Sequence, residues 1–239
     1  MHIKTYWDNT KSPLYSFLFT LPLFLLYELG IFLSTSNEMI SMRNGADALL
    51  RQLLSAFGMN GFYWIGVVFL LGFIIVFWLQ KKFWEHMEIK GKHLLLMMFE
   101  SIIWALILYF FMSNVNILLM NPSGRIIIQK VTLAIGAGIY EEFVFRVLLI
   151  LGISGILGFV FQWENKYKKN LIAMIIAAAI FSLFHFIGEF GDYFSFNLFM
   201  IRFFAGIVLG FLYFFRGFGI TSWAHSIYDL IILTRITTD

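Results

Sequence analysis

Cysteine is absent from the 239 residues of the chain, and charged side chains are scarce at 13%. The lack of cysteine excludes disulfide bonds, iron–sulfur clusters and zinc sites with thiolate ligands. A soluble domain carries about 25% charged residues, so this chain cannot cover a water-facing surface. The net charge is only +3, too small and too dispersed to predict a nucleic-acid partner. Soluble enzymes, nucleic-acid-binding domains and disordered chains are therefore excluded.

Apolar residues make up 60% of the chain, and 20% of its residues are aromatic. A membrane-spanning helix needs about 20 mainly apolar residues. We predict seven crossings, over residues 13–34, 61–79, 93–112, 126–161, 171–187, 194–215 and 220–233. An amphipathic stretch, 44–58, is predicted to lie at the membrane interface or to add a crossing. The predicted fold is all-α, a polytopic transmembrane bundle of about seven to eight helices, because a membrane barrel would show alternating strands of about 10 residues.

The apolar stretch from 126 to 161 is too long for one straight crossing, because a helix rises about 1.5 Å per residue and the hydrocarbon core is about 30 Å thick. Its second half contains Gly152, Gly155 and Gly158. These glycines predict either a break, which would add a crossing, or close packing against another helix.

Lysines are concentrated in two connections, 81–92 and 166–169, whereas Glu189 and Asp192 make a third connection acidic. The positive-inside rule places both lysine-rich connections in the cytoplasm. Two crossings precede the first of them, so the N-terminus is predicted to be cytoplasmic too. No repeat or linker divides the chain, and we predict a single multi-pass domain, residues 1–239, in the cell membrane.

Two adjacent glutamates, Glu141 and Glu142, lie within a predicted crossing together with Arg146. Ionisable residues at such depth are costly and usually functional. On a helix Glu142 and Arg146 are i,i+4 neighbours and are predicted to form an ion pair. Glu141 is then left for other work, such as that of a general base. The alternative is that all three form a buried structural network.

Two histidines also lie within predicted crossings. His185 comes late in an apolar helix, and His225 shares a helical face with Asp229. Each could be a packing residue if taken alone, and the His225–Asp229 pair could be an oriented imidazole, half of a metal site or a polar contact between helices. One glutamate and two histidines on three helices are nevertheless suited to activate water, directly or through Zn²⁺. The HExxH signature is absent, so an ordinary zincin is excluded.

Three motifs occur in order: Glu141-Glu142-x-x-x-Arg146, Phe181-x-x-x-His185 and His225-x-x-x-Asp229. Over about residues 126–229 they resemble the motifs of the CAAX-prenyl-protease and bacteriocin-processing (CPBP) family of intramembrane proteases. The resemblance implies a multi-helix endopeptidase whose catalytic core occupies that range, with its active site sunk in the membrane.

By similarity to this family, Glu141 and His185 would activate the attacking water, and Glu142 and Arg146 would hold the geometry. His225 and Asp229 would stabilise the oxyanion or complete a metal site. The resemblance leaves a Zn²⁺ site open, with Glu141, His185 and His225 as its ligands. Asparagine is common in the family at the position of Asp229, and an ionised aspartate cannot donate to an oxyanion as an asparagine amide can.

We therefore predict an intramembrane endopeptidase, a hydrolase that cuts a membrane-associated peptide or protein in the lipid bilayer. Two other classes stay open: a non-catalytic membrane scaffold or immunity protein that retains the fold, and a proton-coupled transporter. The intact motifs disfavour the scaffold. The absence of two related halves disfavours the transporter.

Overall fold

The computed structural model describes residues 3–33, 43–56, 58, 71, 89–113, 127–187 and 191–235. All regular structure in these residues is helical, as the composition predicts. The predicted crossing at 61–79 lies outside the described residues, apart from Leu71, and so do Glu189 and the lysines at 81 and 82.

Eight helices, numbered here in chain order, are found in the described part of the chain. They are α1 (Ile3–Thr10), α2 (Pro13–Phe32), α3 (Gly45–Ala56), α4 (Gly91–Ser113), α5 (Ile127–Phe159), α6 (Lys166–Phe184), α7 (Phe196–Arg216) and α8 (Phe218–Arg235).

Five of these helices, α2 and α4 to α7, are long and apolar enough to cross a membrane. They coincide with five of the predicted crossings, and the chain is an integral, multi-pass membrane protein. The count of seven to eight is not reached among the described residues. α8 is less apolar than the five because it carries polar groups such as Ser222, His225 and Asp229. The side of the membrane on which each end lies stays a prediction.

Local sequence signals set several helix ends. Ser12 caps α2 by accepting a hydrogen bond from the Tyr15 amide, and Pro13 supplies the fixed φ that suits a first helical residue. Asn165 caps α6 in the same way through the Lys168 amide. α7 ends at Gly217, whose φ of +79° is a conformation that glycine adopts without steric cost.

The predicted break in α5 is not present at its glycines. The helix continues through Gly152, Gly155 and Gly158, and a Cβ added at either of the first two would meet nothing within 4 Å, so these two do not serve close packing. A Cβ at Gly158 would lie 2.8 Å from Nζ of Lys169, so this glycine alone of the three lies against α6. The irregular part lies earlier, where α5 changes from α-helical to π-helical geometry over Ala137–Glu141 and Phe143–Leu149. Single π-helical turns inside α-helices are frequent at functional sites.

α8 is the central helix of the bundle and packs against α2, α4, α5 and α7. It lies close to α5 at Gly138, where a Cβ would overlap the Ser226 hydroxyl and the Ser222 carbonyl oxygen. Glycine at this position lets the two backbones come together. The contact lies one helical turn before Glu141 and so sets the glutamate pair beside α8.

Candidate active site

Glu142 is fully buried between α5 and α8 and faces two basic side chains. Its Oε1 lies 2.7 Å from Nδ1 of His225, and its Oε2 lies 3.1 Å from Nε of Arg146. The ion pair predicted from the i,i+4 spacing is therefore present, although it lacks hydrogen-bond geometry. The Arg146 guanidinium also lies 4.4 Å from the centre of the Phe181 ring, a favourable cation–π contact.

The contact with Glu142 fixes how His225 presents its ring. A carboxylate oxygen accepts hydrogen bonds, so Nδ1 carries a proton and Nε2 is the nitrogen left for chemistry. Nε2 lies 3.7 Å from Oδ2 of Asp229, which is beyond hydrogen-bond distance. The carboxylate that orients His225 is thus Glu142. The sequence pattern pointed to Asp229 because that pair shares one helix, whereas Glu142 comes from another helix.

His185 caps the C-terminal end of α6. Its Nδ1 lies 2.8 Å from the Phe181 carbonyl oxygen, which can only accept, so Nδ1 carries the proton and Nε2 is again the nitrogen left for chemistry. The adjoining connection is held by the Asp192 amide, which donates to the His185 carbonyl over 2.9 Å, and by an ion pair between Asp192 and Arg202. Arg202 therefore has a structural partner in the acidic connection.

The Phe181 ring lies between the two histidines. Its centre is 4.9 Å from that of the His185 ring and 6.3 Å from that of the His225 ring. All three motifs of the sequence are therefore brought to one place, since Arg146 contacts the same ring.

Glu141 turns away from Glu142, as its position on the helix predicts. Its Oε1 accepts a hydrogen bond of 2.8 Å from the side-chain amide of Asn44, a partner that the motif spacing did not reveal. Among the described residues, no hydrogen bond joins Glu141 directly to a histidine.

Zinc ligation by Glu141, His185 and His225 stays a prediction. Within the residues that the structure describes, no three histidine, aspartate or glutamate side chains are arranged to hold a metal ion. Glu141, His185 and His225 each direct one polar atom to a protein partner, namely an amide, a carbonyl and a carboxylate. The mechanism proposed below therefore uses these side chains without zinc.

Two further glutamates within membrane helices have partners of their own. Glu100 in α4 forms an ion pair with Arg216 at the end of α7, and Glu28 in α2 accepts a hydrogen bond of 3.2 Å from the Tyr140 hydroxyl. Both of these contacts join helices that are distant in sequence.

The described helices are those of an integral, multi-pass membrane protein that buries Glu141 and Glu142 on α5 and brings His225 of α8 into contact with Glu142. Residues 123–231 match the model of the type II CAAX prenyl endopeptidase Rce1-like family. The match contains all three motifs and confirms the resemblance to the CPBP family. Because this is a family of proteases, the match supports the prediction that the protein is a hydrolase. No curated protein and no solved structure matches the chain.

Proposed function

We propose that this protein is an intramembrane endopeptidase that hydrolyses a peptide bond of a membrane-associated peptide or protein. The observation that carries the proposal is the 2.7 Å contact between His225 and Glu142 inside the segment that matches the endopeptidase family. Because Glu142 holds Nδ1 of His225, Nε2 is left for the substrate, and Glu141, the adjacent residue on α5, is held separately by Asn44. A histidine and a second carboxylate are groups that can act in general acid–base catalysis.

In the proposed reaction Glu141 is the general base. It takes a proton from water, assisted by Nε2 of His185, while the water oxygen attacks the carbonyl carbon of the scissile bond. The tetrahedral intermediate then collapses, the C–N bond breaks, and Glu141 returns the proton to the leaving amine. The products are a new carboxylic acid and a new amine, so atoms and charge balance.

The developing oxyanion is assigned to His225 and Asp229. Nε2–H of a protonated His225 and the carboxyl O–H of a protonated Asp229 are the donors that this end of α8 supplies. Glu142 and Arg146 hold His225 in place and touch no substrate atom in this scheme. We propose residues 126–229 as the catalytic core.

The experiment uses the purified full chain in lipid vesicles. The probes are fluorogenic peptides that end in cysteine, two aliphatic residues and a variable residue, with and without a farnesyl group on the cysteine. Cleavage in water enriched with ¹⁸O should place the label in the new carboxyl group, and Glu141→Gln should remove the activity. Comparison of the two peptides shows whether the prenyl group is needed, and dialysis against a chelator followed by Zn²⁺ shows whether a metal takes part.

Failure to cleave either peptide, with the chain folded in the vesicles, would contradict the endopeptidase proposal. A pH-sensitive dye enclosed in the same vesicles reports proton movement and so distinguishes the transporter alternative from the endopeptidase. Proton movement that depends on Glu141 without any cleavage would favour that alternative.

A further inference from the structure

Asn44 lies immediately before α3, in a part of the chain outside the segment that matches the endopeptidase family. It is nevertheless buried against α5, with 8% of its surface exposed. Its Nδ2 donates a hydrogen bond of 2.8 Å to Oε1 of Glu141. In the described part of the chain this is the one hydrogen bond that the Glu141 side chain makes.

The orientation of the Asn44 amide is fixed by its other end. Oδ1 accepts a hydrogen bond of 2.9 Å from the Ala46 backbone amide, the turn by which asparagine begins a helix. If the amide were rotated by half a turn, Oδ1 would face the Glu141 carboxylate and the NH₂ group would face a backbone N–H. Both contacts would be repulsive, so the turn aims the NH₂ group at Glu141.

The backbone N–H of Asn44 is held as well. It donates to the Tyr27 hydroxyl over 3.3 Å, and that hydroxyl donates to Oδ2 of Asp47 over 2.8 Å. Asp47 is fully buried and forms ion pairs with Arg43 and Arg51 at 2.7 and 2.8 Å. The support of Asn44 is therefore a network of charged and polar groups rather than a single bond.

Gly136 on α5 makes room for this network. A Cβ at that position would overlap the Tyr27 ring and would lie 3.1 Å from Cβ of Asn44. Because glycine stands there, the segment that carries Asn44 lies directly against α5, within reach of Glu141 one and a half turns later.

We propose that Asn44 is a positioning residue for the reaction of Glu141. By holding Oε1, its amide sets the plane of the carboxyl group and leaves Oε2 as the oxygen that takes the proton from water. This inference rests on the proposed endopeptidase function, and it extends the catalytic machinery to the N-terminal half of the chain.

A role as a helix cap alone is the competing account, and two substitutions separate it from positioning. Asn44→Asp and Asn44→Ser keep a side-chain oxygen that can accept from Ala46, so α3 keeps its cap. The serine hydroxyl is one bond shorter than the amide and does not reach Glu141 from the cap, and the aspartate places a second carboxylate there. Asn165→Asp is the matched control, because Asn165 caps α6 through the same kind of bond and does not touch the site.

The experiment measures kcat, KM and the midpoint of thermal unfolding for these variants in lipid vesicles, with the fluorogenic peptides described above. We expect kcat of both Asn44 variants to fall by about 10- to 100-fold, the usual effect of removing a group that orients an active-site residue. For Asn44→Ser, KM and the unfolding midpoint should stay at the wild-type values, whereas Asn44→Asp should also lower the midpoint because its carboxylate adjoins Glu141. Asn165→Asp should behave as the wild type. Unchanged kcat in Asn44→Ser, or a fall in its stability with a parallel rise in KM, would overturn the proposal.

An infrared measurement tests the same inference without turnover. The carboxyl band of Glu141 is isolated as the difference between spectra with Glu141 and with Glu141→Gln, once with Asn44 and once with Asn44→Ser. The band should shift when the amide donor is removed. A band that stays in place would overturn the inference even if the protein cleaved neither peptide, whereas an inactive wild type with a shifting band would contradict the proposed function alone.

Discussion

Two arginine–glutamate pairs in the described part of the chain contain a buried arginine, and only one of them lies beside groups that can do acid–base chemistry. Arg216 and Glu100 join α7 to α4, with 2.8 Å between Nη2 and Oε2. The Tyr6 hydroxyl donates to the same Oε2 over 2.9 Å. The Arg216 guanidinium also lies 4.2 Å from the centre of a Trp7 ring. This pair ties the N-terminal helix to the rest of the molecule.

The pair of Arg146 and Glu142 is surrounded differently. Its carboxylate also binds a histidine, a second glutamate adjoins it in sequence, and both terminal nitrogens of Arg146 lack a hydrogen-bond partner among the described residues. For Arg216 the same is true of one terminal nitrogen only. An ion pair inside a membrane is therefore a candidate functional position. The groups around it show whether its role is structural or catalytic.

The largest effect on activity is expected from Glu141→Gln. General acid–base catalysis contributes about 10²–10⁴-fold in rate, and the variant should lose that amount. A glutamine can still accept from Asn44, so the unfolding midpoint in detergent should stay close to that of the wild type. Full proteolysis by this variant would remove the distinction between the surroundings of the two ion pairs, because neither would then supply a base.

The two ion pairs themselves are compared by Glu142→Gln and Glu100→Gln. Each leaves a buried arginine without its charged partner, a change that costs about 3–5 kcal/mol, so thermal unfolding should show both variants to be less stable. Only Glu142→Gln should also lower the turnover of the folded fraction, because His225 loses its anionic partner. Equal loss of turnover in Glu100→Gln would show that the pair of Glu100 and Arg216 is coupled to the site.

Much of this arrangement could be predicted from the sequence. The apolar runs gave the five long helices, and the i,i+4 spacing gave the pair of Glu142 and Arg146. Contacts between helices were less accessible, since spacing along one helix pointed from His225 to Asp229 rather than to Glu142. The contact of Asn44 could not be predicted, because this residue belongs to no motif and lies 97 residues before its partner.

The glycines of α5 show the same limit. Gly152 and Gly155 stand out as a spaced series but face open space, whereas Gly138 has no such pattern and is the one in close contact with α8. A glycine serves helix packing only if another backbone lies opposite, and a single sequence does not contain that information.

The substitution Gly138→Ala should therefore have an intermediate effect. A methyl group there would overlap Ser226 and push α8 away from α5, and such overpacking costs about 1–3 kcal/mol. Turnover should fall as well, because the contact between Glu142 and His225 spans the same two helices. Gly152→Ala is the control, and thermal unfolding should show it to be unchanged or up to about 1 kcal/mol more stable, since alanine is the better helix former.

The smallest effect is expected from Asp229→Asn, which tests what this residue does beside His225. Asp229 is 27% exposed and its Oδ2 lies 3.7 Å from Nε2 of the histidine, whose other nitrogen already binds Glu142. His225 therefore does not depend on Asp229 for its orientation. If Asp229 donates to the oxyanion, an asparagine amide supplies the same donor at any pH, so turnover should persist and extend to higher pH. A loss of about 10- to 100-fold in the folded variant would show instead that the negative charge is needed, as in the support of an active-site ligand. Rates measured across pH for the wild type and Asp229→Asn distinguish these outcomes, with Asp8→Asn, an exposed residue of α1 outside the three motifs, as the control.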